Sequence, residues 1–148
     1  MQHLDYQPER CESLFFEKAA KALERLKPFA PPTPQHHASI ASGYRLRAEF
    51  RIWHDGDDLH YVMFPPREPR NPHIIEAFPI AAPRITEAMA PLREALKGSA
   101  ELRRKLFQVE FLSTLNGELL ITLIYHRPLH DAWHAAAHAL AGWLSCKI

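Results

Sequence analysis

A chain of 148 residues, 47% of them apolar, is sized for one domain with a real core. Its 18 lysines and arginines nearly balance 17 aspartates and glutamates, and a net charge of +1 excludes a nucleic-acid binder that works by bulk charge, so any anion site must be local. Cys11 and Cys146, far apart and in no metal-ligand spacing, argue against a disulfide framework and for a reduced, cytoplasmic protein.

The N-terminus "MQHLDYQPER" is polar and acidic where a signal peptide needs a basic and then an apolar run, and no stretch reaches the ~20 apolar residues of a membrane span. From Pro8 to about Leu26, apolar Leu14, Phe15, Ala19, Ala22, Leu23 and Leu26 recur at helical spacing, which predicts an amphipathic helix with Pro8 near its start. Four prolines between residues 28 and 34 then forbid helix and favour an extended tether, so residues 1–35 read as an arm and residues 36–148 as the domain proper. Residues 44–53 alternate strictly, with Tyr44, Leu46, Ala48, Phe50 and Ile52 on one face and Arg45, Arg47, Glu49, Arg51 and Trp53 on the other. "HDGDD" supplies a turn, and "LHYVMF" reads as the returning strand of a hairpin.

After the proline-interrupted "PPREPRNPHIIEAFP", residues 83–97 carry Ile85, Ala88, Met89, Leu92 and Leu96 on one helical face, and Pro91 is expected to kink or split that helix. "KLFQVEFLSTL" and "ELLITLIYH" form a second hairpin, joined at "NG", a two-residue turn signal. In the last helix, "LHDAWHAAAHALAGWLSCKI", Trp133, Ala136, Ala137, Leu140 and Leu144 point inward. The expected fold is α+β: a mainly antiparallel four-stranded sheet from two hairpins, packed with helices, plus the N-terminal helix on its Pro-rich linker.

The arginine strand is the first candidate site. Side chains at i and i+2 on a strand stand about 6.6 Å apart, close to the spacing of successive phosphates, so Arg45, Arg47 and Arg51 can in principle track a nucleic-acid backbone. The plainer reading is a solvated face with Glu49 paired to a neighbouring arginine. Trp53 on that face, Phe107 beside "RRK" (103–105), and Tyr125 and His126 at the end of the last strand are the aromatics that unpaired bases would stack on. Yet a phenylalanine opening a strand is more often core. Histidines 126, 130, 134 and 138 recur every four residues, but with no glutamate or cysteine among them a solvated stripe is preferred to zinc, and "HDGDD" is too short for a calcium loop. Glu49 beside arginines is poorly placed as a general base, and no nucleophile or phosphate-loop motif is present. No catalytic residue, metal or cofactor is therefore expected in this chain.

The strings "YRLRAEFRIWHDGDDLHYVMF" and "LRRKLFQVEFLSTLNGELLITLIYH" closely resemble the N-terminal region of the bacterial tRNA (uracil-5-)-methyltransferases, and the likeness runs on through "HDAWHAAAHAL". The resemblance implies a part that grips the tRNA T arm. It places methylation of carbon 5 of a T-loop uridine in a downstream S-adenosylmethionine-binding domain that also holds the nucleophilic cysteine and the base glutamate. It also implies that Arg51, Glu49, Phe107 and His126 sit where the family meets the T loop, with Phe107 standing in for a base and Arg51 holding phosphate or stacking. Neither Cys11 nor Cys146 falls in the nucleophile motif. The expectation is a truncated chain that binds T-arm RNA through Arg45, Arg47, Glu49, Arg51, Phe107 and His126 without methylating it. The alternative is a non-RNA scaffold domain that forms a homodimer through an exposed sheet edge.

Overall fold

The computed structural model describes residues 6–65 and 70–148; the first five residues of the polar N-terminus and four residues near the start of the proline-interrupted segment, 66–69, lie outside them. A 3-10 turn, Pro8–Arg10, opens into helix α1 (Cys11–Leu26), which is rich in Ala, Glu, Lys and Leu. No residue of α1 is fully buried. Its rings Phe15 and Phe16 instead meet His36, 5.9 and 6.1 Å between centroids, so the proline-rich segment folds back beside the helix.

Five strands follow: β1 (Arg47–Asp55), β2 (Asp58–Met63), β3 (His73–Ile74), β4 (Leu106–Ser113) and β5 (Leu119–Tyr125). They form one antiparallel sheet in the order β3-β2-β1-β4-β5, in which both expected hairpins are present. The sheet has one strand more than the four expected. β3 pairs Ile74 with Val62 and His73 with Met63, a two-residue edge too short to leave an alternating pattern among the surrounding prolines. The first strand also begins later than its alternation suggests. Arg45 leaves the ladder because its backbone bonds to Ile80 and Ala82, drawing it alongside the approach to the next helix.

The β1–β2 turn places Gly56 at φ 58°, a left-handed position that glycine fills without strain. "NG" does not make a two-residue turn. Thr114 and Glu118 still exchange bonds, and Gly117, at φ 84°, closes a three-residue loop of Leu115, Asn116 and Gly117 after a turn bonded from Gly117 N–H to Thr114 O.

Helix α2 (Pro83–Gly98) buries all five residues expected of it, Ile85, Ala88, Met89, Leu92 and Leu96. Pro91 does not split it. The hydrogen bond that Pro91 lacks would have gone to the carbonyl of Glu87, an exposed residue, so the missing bond falls on the outer side of the helix rather than in the core. A short helix α3 (Ala100–Arg103), capped by the Ser99 hydroxyl, and α4 (Asp131–Leu144) complete the layer. Trp133, Ala137, Leu140 and Leu144 of α4 are buried, and Ala136 is partly so.

These helices cover the face of the sheet that carries Ala48, Phe50, Leu59, Tyr61, Val109, Phe111, Leu119 and Ile121. Two tyrosines fasten the layers: Tyr61 donates to the Met89 carbonyl of α2 at 2.9 Å, and Tyr125 to the Leu102 carbonyl of α3 at 2.7 Å. The opposite face of the sheet carries Arg47, Glu49, Arg51 and Trp53, all exposed. Among the described residues no helix is long and apolar enough to cross a membrane.

Candidate nucleic-acid interface

The site begins with an irregularity in β4. Leu106 pairs with Tyr125 and Gln108 with Ile124, so Phe107 is an extra residue in the ladder, a β-bulge. Leu106 and Val109 both remain inward, 1% and 0% exposed. Phe107 is thereby released from the core onto the open face. Strict alternation would have placed it inward with Val109 and Phe111.

On that face the guanidinium carbon of Arg51 lies 3.6 Å from the Phe107 ring centroid, and the His126 ring stacks on Phe107 at 4.0 Å with 28° between planes. Two groups this close to one centroid cannot share a side of the ring, so Arg51 and His126 cover opposite faces. β1, β4 and the residue after β5 thus build a cation–aromatic–imidazole sandwich. Register explains it: Arg51 faces Gln108 across β1–β4, one residue from the bulge, and the His126 N–H donates to the Lys105 carbonyl at 3.1 Å. Arg51 and His126 are exposed and Phe107 is half-buried between them, so the planar surfaces left open are the outer ones of the guanidinium and the imidazole.

The other expected residues do not join this cluster. Arg45 turns its Nε back onto the Arg47 carbonyl at 3.0 Å. Arg47 pairs with Glu49 at 2.7 Å and with Glu110 at 3.1 Å. The plainer reading of this face, Glu49 paired to an adjacent arginine, therefore holds at Arg47. Glu110, which the sequence did not single out, is also gripped by Gln108 at 2.8 Å. It lies directly opposite Glu49 on the neighbouring strand, so Arg47 is set between two facing carboxylates.

Among the described residues no three His, Cys, Asp or Glu side chains are grouped to hold an ion, those of the histidine row included. In the "HDGDD" turn, Asp58 is committed to Arg93 at 2.8 Å and Lys97 at 3.1 Å, and Asp57 to Arg103 at 2.6 Å. The Leu59 N–H, followed by the Lys97 ammonium, holds the Asp58 carboxyl below its ordinary range. A second basic feature went unnoticed in the sequence beyond the nearness of "RRK" to Phe107. His54, Gly56, Ala100, Arg103, Arg104 and Lys105 line an open depression of about 480 Å³ at the end of the β1–β2 hairpin.

Fold and site together define an α+β domain whose open sheet face carries an Arg–Phe–His stack. A family model described as tRNA (Uracil-5-)-methyltransferase matches residues 11–148, and the chain belongs to that family. It is 50% identical over 95% of its length to the tRNA/tmRNA (uracil-C(5))-methyltransferase of Aromatoleum aromaticum, covering 38% of that protein. The proteins of the same description from Dechloromonas aromatica and Pseudomonas entomophila are 48% and 46% identical over 97% of the chain, each covered to 40%. The chain thus spans about two fifths of the length of these curated relatives, matching their N-terminal part.

Proposed function

We propose that this chain is the tRNA-gripping part of a tRNA uracil-5-methyltransferase, that it engages the T arm, and that it does not carry out the methyl transfer by itself. The observation that carries the reading is the Arg51–Phe107–His126 sandwich on an open sheet face, in a chain of this family. With both faces of Phe107 covered, the outer planes of the Arg51 guanidinium and the His126 imidazole are the surfaces an unpaired base can stack on, and the guanidinium charge suits its phosphate. Arg45, Arg47 and Glu49 would border the contact, with Arg47 keeping the local charge near neutral.

The methyl donor of such a reaction, S-adenosylmethionine, is a sulfonium cation, and two depressions among the described residues suit it poorly. One is lined by His54, Arg103, Arg104 and Lys105; in the other, Glu49, its one carboxylate, is already paired with Arg47. Burial raises the Cys146 thiol above its ordinary range, the wrong direction for a nucleophile. A scaffold role through edge pairing has less support, because β3 is only two residues long and Lys147 already bonds to Leu119 and Ile121 along the outer side of β5.

Titration of the chain with a T-arm RNA hairpin tests the proposal. Binding should weaken as salt rises and should fall in Arg51→Ala and Phe107→Ala; affinity indifferent to all three changes would sink it. Light scattering showing a stable dimer that excludes RNA would favour the scaffold reading.

A further inference from the structure

We propose that the depression lined by His54, Arg104 and Lys105 is a phosphate-holding subsite for the same RNA strand whose base meets the Arg51–Phe107–His126 platform. The inference rests on the RNA-binding reading above and extends it to a second, chemically distinct point of contact.

Charge supports it first. Arg103 is spent on Asp57 and the Lys97 carbonyl, and Arg127 takes up Glu101 at 2.6 Å. Asp57 and Glu101 are thus already matched, which leaves Asp55, between His54 and Gly56, as the one exposed carboxylate beside the two cations among the described residues. Arg104 and Lys105 are exposed, and among the described residues neither has a carboxylate partner. His54 forms the opposite wall and is fixed there, its Nε2 2.8 Å from the Leu106 carbonyl, so the two cations are the groups that would meet a phosphate.

Backbone geometry supports it next. Arg104 at φ −57°, ψ 116° followed by Lys105 at φ 56° is the dihedral sequence of a type II turn, whose third position normally takes glycine. The turn alone would be better served by glycine, yet it holds an unpaired ammonium group in a strained conformation beside the platform. The two sites are also mechanically joined. The Lys105 carbonyl accepts the His126 N–H at 3.1 Å, and Lys105 is two residues from Phe107, within about 7 Å along the chain. That is the scale on which a nucleotide presents a base to one surface and a phosphate to the next.

The test measures binding of the 148-residue chain to a synthetic T-arm RNA hairpin and to the same hairpin with abasic loop positions, across a salt series. Lys105→Gly removes the cation and relieves the positive φ, so its melting temperature should be no lower than that of the parent chain; Arg104→Gln removes the second cation. Together they should weaken both RNAs roughly tenfold and flatten the slope of log affinity against log salt by about 1.4, two contacts at about 0.7 each. Phe107→Ala should weaken only the base-bearing hairpin. If the double variant keeps the parent affinity and salt slope while Phe107→Ala loses affinity, the phosphate subsite is overturned and the platform stands. If the parent chain shows no salt-dependent binding to either RNA, both readings fall.

Discussion

Arg51 and Phe107 meet face-on across the β1–β4 pair, the guanidinium carbon 3.6 Å from the ring centroid. The contact depends on the planarity of the guanidinium as much as on its charge. Arg51→Lys keeps the charge and loses the plane, so it should weaken RNA binding nearly as much as Arg51→Ala. Because the pair is exposed, either change should shift folding stability by no more than about 1 kcal/mol. Parallel binding and chemical-denaturation curves check both halves; full affinity in the lysine variant would reduce the contact to simple charge.

Glu49 and Glu110 oppose each other on adjacent strands with Arg47 between them. Removing the arginine exposes like charges at direct cross-strand distance, so Arg47→Ala should cost about 1 kcal/mol, more than an isolated surface ion pair. In an Arg47→Ala/Glu110→Gln background most of that loss should be restored. A double-mutant cycle by urea denaturation measures the coupling.

The Tyr61 hydroxyl is buried and donates to the Met89 carbonyl. Tyr61→Phe leaves that carbonyl without its extra donor and should cost about 1–2 kcal/mol. Burial raises the Tyr61 phenol well above its usual range and pushes Tyr125 up to about 12. The folded chain therefore holds these protons after the unfolded chain, whose tyrosines titrate near 10, has released them. The contribution of these two tyrosines should be level from neutral pH to about pH 10 and fall as pH rises above it. Tyr125→Phe should make that fall shallower in a pH series of melting temperatures.

Pro91 lies inside α2 and withholds a hydrogen bond from the solvent side. Pro91→Ala restores that bond and adds helix propensity. The expected result is a gain of about 1–2 kcal/mol in unfolding free energy, below the ~3 kcal/mol of a proline in a standard helix interior because Glu87, whose carbonyl loses the bond, is on the exposed side of the helix. Thermal melts of the two proteins decide it.

The inward residues of α2 and α4 and the alternation of Ala48 and Phe50 were legible because burial on one face imposes a period on the sequence. β3 was not, since two residues cannot establish a period. Residue pattern alone left Phe107 nearer to core than to surface, and resemblance placed it on the RNA side. What neither supplied was the bulge, which is a relation between β4 and β5 rather than a property of either strand. Nor could pattern show that Arg47 would be held by Glu110, because the two residues are 63 positions apart and meet only through strand register. Local periodicity carries the layers; the partners of surface charges depend on the assembled sheet.

Leu106 and Val109 stay inward on either side of the bulge, so counting along the core skips Phe107 altogether. Deleting that one residue would close β4 into a regular ladder, with Leu106, Val109 and Phe111 still beneath the helices and Gln108 still outward. The platform residue is a supernumerary one. The chain has separated the positions that hold it together from the position that gives its open face a ring, and the second can be altered without renegotiating the first.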